Sequence, residues 1–118
     1  MHGTDTHGSG TDLGALVTEL LGTAGTAGSG RAAATVHGGH EATLRQTVIA
    51  LRAGAELAEH ENPGEATLLV LTGRVRLTAA SGAVEAGEGV LVVVPGERHG
   101  LTALADAAVL LTVAKLAG

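Results

Sequence analysis

The chain has no cysteine, phenylalanine, tyrosine or tryptophan, and only two prolines and one methionine among its 118 residues. Without cysteine there are no disulfides, no thiolate metal sites and no cysteine nucleophile, a usage compatible with a reducing compartment. Without aromatic rings there are no base-stacking platforms, no cation-π cages and none of the aromatic anchors common at interfaces. Any pocket must be walled by Leu, Val, Ile, Ala and the single Met, which suits small or aliphatic ligands better than flat aromatic ones. Basic residues are scarce: seven Lys and Arg stand against twelve Asp and Glu, for a net charge of −5. Such a chain offers no field to hold a phosphate backbone by counterion release, so nucleic acid is not an expected partner. Long apolar runs are missing as well. "MHGTDTHGSG" at the start has neither a cationic nor an apolar leader region, and "LGALVTELLG" contains Glu19 and is too short for a bilayer. No membrane partner is expected, and a cytoplasmic location is the default.

A chain of this length fits one domain that buries roughly two thirds of its unfolded surface. Residues 1–10, with His2 and His7, read as a disordered polar tail ahead of a single domain over 11–118. Leu13, Leu16, Val17, Leu20 and Leu21 recur at helix spacing behind the possible caps Thr11 and Asp12. The spacing predicts a short helix over about 12–21, with Gly22 and Gly25 as terminators. From Arg31 onward, apolar and alternating runs are separated by turn residues: "RAAATV", "ATLRQTVIAL", "ELAEH", "ATLLVL", "RVRLTA", "VLVVV", "HGLTAL" and "AAVLLTVAK". Short strands at spacings of about eight to twelve residues predict an all-β sandwich or barrel.

Arg74 and Arg76 alternate with Val75 and Leu77, the pattern of a half-buried strand with its arginines outward. "ATLLVL", "GVLVVV" and the upper part of "ATLRQTVIAL" are apolar on both faces, so something must cover the outer side of the sheet. The candidates are the N-terminal helix and a second copy of the chain; because one short helix covers little sheet, a homodimer is expected.

"HENPGEA", residues 60–66, places His60 and Asn62 two apart, on one face of a strand, before Pro63 and Gly64 turn the chain. Gly54 lies upstream of His60, and Gly73 closes the segment. Farther on, "GEGVLVVVPGERH" contains Gly87, Gly96 and His99. In this order and spacing the segment from about Thr43 to Lys115 resembles the cupin superfamily. The resemblance implies a cupin-like double-stranded β-helix, or jelly-roll, barrel with a short N-terminal helix. It also implies a divalent metal, Zn, Ni, Fe or Mn, with His60 and His99 at two matching ligand positions. Asn62 stands where the family pattern has a second histidine, and Ala66 stands at its glutamate position, with Glu65 one residue early.

Neutral imidazole is the strongest metal ligand left in a chain without thiolates. Asn62 could add an amide oxygen and Glu65 a carboxylate, although a shift of one residue sends a strand side chain to the opposite face. Gln46, Arg45 and Arg98 are the polar candidates for ligand binding; His37 and His40, flanking Gly38–Gly39, suit a hairpin, with His40 near the barrel mouth. No strand–Ser–helix elbow is readable, and "GTAGTAGSG" lacks the lysine of a phosphate-binding loop. Three functions stay open: a metal-assisted enzyme acting on a small molecule, a non-catalytic binding or sensing module, and a structural homodimer with a degenerate site. The doubly apolar strands carry the first prediction. Light scattering at micromolar concentration should return twice the 11.5 kDa chain mass, and a monomer mass would refute the dimer. Detection must avoid 280 nm, where this chain does not absorb.

Overall fold

The computed structural model describes residues 10–61 and 64–115. Among these residues it contains one helix, α1 (Leu13–Thr26), and nine strands. The strands are β1 (Arg31–His37), β2 (Leu44–Leu51), β3 (Glu56–His60), β4 (Gly64–Thr72), β5 (Arg74–Ala79), β6 (Gly82–Gly87), β7 (Leu91–Val93), β8 (His99–Ala103) and β9 (Ala107–Lys115). They form two antiparallel sheets, ordered β1-β2-β9-β4-β7 and β3-β8-β5-β6. The alternation read along the sequence now has a physical meaning. Ile49 and Leu51 of β2 pack between the sheets with Leu68, Val70, Val75, Leu77, Leu101 and Val109. Val48 and Ala50, pointing the other way, pack under α1 against Leu20 and Ala24.

The five-stranded sheet is therefore apolar on both faces because it has two neighbours. The helix covers the outer side of β1 and β2, where Leu13, Leu16, Val17 and Leu21 meet Ala32, Ala34, Val36 and Leu110. It does not reach β7, whose Leu91 and Val93 remain 60% and 74% exposed. On β5 the arginines point outward and Val75 and Leu77 inward, as their alternation requires.

Two sequence expectations need correction. Helix α1 runs to Thr26, five residues past the expected end at 21, straight through Gly22 and Gly25. Tertiary burial of Ala24 under the sheet outweighs the cost of glycine in a helix, about 1 kcal/mol each. The start agrees with the cap chemistry, since the Asp12 carboxylate accepts the Ala15 N–H at 3.0 Å. The second correction is β6, which the sequence reading passed over. "GAVEAG" has a glycine at each end and four exposed residues at its start, so it carries little periodic signal. It exists because its backbone pairs with β5 from Arg74↔Gly87 to Ala79↔Gly82. Smaller differences lie at the ends: β4 opens at Gly64 and β2 at Leu44. The expected tail, residues 1–10 with His2 and His7, lies outside the described residues up to position 9.

Gly73 makes the tight passage between β4 and β5. Its φ is 82°, and a Cβ there would run into the Asp106 carbonyl and Ala107. Leu51 is completely buried between the sheets, and Leu20 is buried on the face of the helix that packs on the sheet. Leu51→Ala should thus lower unfolding free energy by about 2–5 kcal/mol, and Leu20→Ala by less. Urea denaturation followed by far-UV circular dichroism checks both, and equal losses would show the helix to be as integral as the barrel.

Candidate functional site

His60 and His99 meet although 39 positions separate them. They are direct cross-strand partners at the end of the β3–β8 pair, and their ring centroids lie 4.8 Å apart with planes tilted by 57°. A bulge makes this meeting possible. Glu56 pairs with Thr102 and Leu57 with Leu101, a register that, if continued, would set Glu59 opposite His99. The register shifts between Leu57 and His60 instead, so His60 takes that place. An extra residue in one strand re-aims the side chains beyond it. Glu59 is consequently turned outward and forms an exposed ion pair with Arg98 at 3.6 Å. Gly100 sits beside the bulge, where a Cβ would lie at van der Waals contact, 3.4 Å, with both the Glu59 side chain and the Leu57 carbonyl.

Both imidazoles are oriented by their own backbone. His60 Nδ1 lies 3.1 Å from the Ala58 carbonyl oxygen and His99 Nδ1 lies 2.8 Å from that of Glu97. A carbonyl accepts only from a protonated nitrogen, so Nδ1 donates in each ring and the neutral tautomer carries its lone pair on Nε2. This is the arrangement of a metal-ligating histidine whose second nitrogen is held by a carbonyl. His99 is buried, at 4% exposure, while His60 sits at the exposed rim. Between them and the core lies a cavity with about 20 Å³ of room for the centres of water-sized molecules, walled by Ile49, Leu57, Leu68, Leu77 and Leu111. That is room for about one water molecule.

The other expected site residues are dispersed. Glu65 is exposed on β4 opposite Ala114, and the inward position beside it belongs to buried Ala66. Among the described residues no third His, Cys, Asp or Glu joins the histidines in a metal-sized cluster. Asn62 lies outside the described residues. Gln46 faces the helix side of β2, where its amide donates to Thr112 Oγ1 at 3.2 Å. Arg45 occupies the opposite, barrel-side face of β2, and Arg98 is engaged by Glu59. His37 ends β1, and His40 follows the Gly38–Gly39 turn.

Sequence reading missed Glu97 and Ser81. The Glu97 carboxylate accepts both the Ser81 N–H, at 2.9 Å, and the Ser81 hydroxyl, while its carbonyl accepts from His99. One residue thus ties the β5–β6 turn to the orientation of the buried imidazole. The two Ser81 hydrogen bonds, hydroxyl first, hold the Glu97 carboxyl below its ordinary value of 4.5.

No family model matches the chain, and no curated protein matches it. Solved structures do. A conserved protein of unknown function from Streptococcus pyogenes is 28% identical, with a TM-score of 0.69 over 78% of this chain and 80% of its own. An RmlC-like cupin from Desulfovibrio desulfuricans is 27% identical, with a TM-score of 0.62 over 71% of this chain and 81% of its own. A salicylate 1,2-dioxygenase from Pseudaminobacter salicylatoxidans shares the fold at 20% identity and a TM-score of 0.70, with 85% of this chain matching 33% of that one. The chain is a small single-domain protein of the cupin fold, a β-barrel with a short N-terminal helix.

The lowered Glu97 carboxyl gives a pH signature. A carboxylate whose folded pKa is depressed adds stability above its unfolded value, and that stability is lost as pH falls through the folded value. The difference in urea midpoint between the wild type and Ser81→Ala should therefore hold from neutral pH down to about 4.5 and shrink below it. A difference independent of pH would mean that Ser81 acts through packing alone.

Proposed function

We propose that this protein is a small-ligand-binding cupin whose histidine pair, His60 and His99, engages one divalent transition metal ion, Zn, Ni, Fe or Mn. The observation that carries this reading is the pair of Nδ1–carbonyl hydrogen bonds, which leaves both Nε2 atoms as acceptors beside one cavity. Two neutral imidazoles supply half of a four-ligand shell, and water, with Asn62 or Glu65 after local movement, would complete it. Binding would be weaker than at a site with four protein ligands. A bound ion would act as a Lewis acid toward a ligand oxygen. The residues of the chain would fix the imidazoles, exclude water through the aliphatic wall, and admit only a small group beside the ion.

A binding or sensing role is favoured over catalysis by the contents of the cavity. Apart from the histidines, its walls are aliphatic and glycine residues with no further acid or base. The enzyme reading is the second one, and the likeness to a dioxygenase is what supports it. Two further parts of the proposal concern setting. The exposed Leu91 and Val93 on the edge strand β7 favour a homodimer, and the cysteine-free composition favours the cytoplasm. No helix among the described residues is long and apolar enough to cross a membrane.

The deciding experiment is calorimetric titration of untagged protein with Zn, Ni, Fe(II) and Mn. One equivalent should bind, with a loss of at least about tenfold in both His60→Ala and His99→Ala. Because imidazole ligates only when neutral, binding should also weaken on acidification. Undiminished metal binding in both variants would move the site elsewhere, and a wild type that binds none of the four would leave a metal-free pocket. Turnover of a small acid by the loaded protein would promote the enzyme reading.

A further inference from the structure

We propose a second binding site, separate from the histidine pair, in which Arg45 holds the carboxylate of a small polar acid. Arg45 projects from the barrel-side face of β2 into a groove of about 410 Å³ lined by Thr35, Gly38, Gly39, His40 and Thr47. The guanidinium is already positioned before any ligand arrives. Its Nη2 donates to the His40 carbonyl at 3.3 Å, and Gly38 closes over the side-chain stem. Gly38 has a φ of 103°, and a Cβ there would stand 2.6 Å from the Leu44 carbonyl and 3.1 Å from Arg45 Cγ, so only glycine lets the turn lie this close.

Among the described residues the held guanidinium has no counter-ion. Arg45 shares the lack of an ion pair among the described residues with Arg31 and Arg52, which are exposed, whereas Arg74, Arg76 and Arg98 each pair with a carboxylate. Its Nε is buried and makes no hydrogen bond among those residues. A half-buried cation without a counter-ion is costly in isolation, and an anion in the groove that receives two parallel N–H bonds from the end of the guanidinium would neutralise it. The flanking groups narrow the class. Thr35 and Thr47 are register partners and both line the groove with Arg45, where their hydroxyls offer partners to a ligand hydroxyl. There is one arginine, and the chain carries a net charge of −5, which favours a monoanion over a phosphate dianion. The occupant that fits is a small hydroxycarboxylate.

Arg45 lies on the inner face of the same sheet as the histidine cavity but four residues from Ile49, the β2 residue of that cavity, or roughly 13 Å along the strand. The site therefore needs no metal, and its failure would leave the histidine proposal standing. The test is titration with glycolate, acetate and inorganic phosphate in metal-stripped buffer, followed by calorimetry and by NMR shifts of the Thr35, His40 and Thr47 amides. Glycolate should saturate, bind more tightly than acetate, and weaken at least about tenfold in Arg45→Gln. Should that variant misfold by circular dichroism, Arg45→Lys keeps the charge but loses the fork, and should weaken glycolate binding while leaving nonspecific charge effects in place. Phosphate binding as tight as glycolate, glycolate binding unchanged in a folded variant, or shifts that do not saturate would each overturn the assignment.

Discussion

The structure depends on one sheet having to bury both of its faces. In β2, residues 48–51 are all buried, with alternate side chains committed to different clusters. Register is then fixed twice over, because a slip of one residue would exchange the barrel set for the helix set. Strand β9 shares the constraint, with Val109 turned inward and Leu110 toward the helix. The site inherits this rigidity. Three residues of the aliphatic wall behind the imidazoles, Ile49, Leu68 and Leu111, are drawn from the three central strands of that sheet.

Against so regular a sheet, the irregularity in β3 is the functional departure. The smaller sheet could have run its ladder straight through, and Glu59 would then have faced His99 across the strands. A carboxylate–imidazole pair at the barrel mouth would be a different chemical object from a histidine pair. The single extra residue before His60 selects the second and sends the acid out to Arg98.

Much of this could be read from the sequence, and what could not has physical causes. Strand positions followed from alternation and turn residues because most strands have one face pressed on the core, as Val75 and Leu77 do. "GAVEAG" was invisible because a strand with little burial owes its existence to its hydrogen-bonded neighbour. Glycines 22 and 25 misled because local propensity counts for less than packing once Ala24 has a sheet beneath it. His60 and His99 were legible through motif spacing, but the bulge that joins them is a property of the pair, not of either strand alone. Ser81 and Glu97 gave no signal, since a serine and a glutamate 16 positions apart in turns read as solvated loop. Arg45 stood out as polar within an apolar strand, yet its having no carboxylate partner among the described residues became visible only when its surroundings were assembled.

The outer helix is joined to the rest differently from any strand. It contributes no rung to the ladder, and only Leu20 and Ala24 of its fourteen residues are buried. Its detachment would break side-chain packing and spare every inter-strand hydrogen bond, so it forms a natural unit of partial opening, able to lift while the two sheets stay closed. In that opened form Val48, Ala50 and Leu110 would line an apolar surface continuous with the uncovered β7 edge. Amide exchange would then be fastest in α1 and slowest along the central strands. The same event would turn a well-behaved barrel into a sticky one, making the helix a guard against self-association through the sheet.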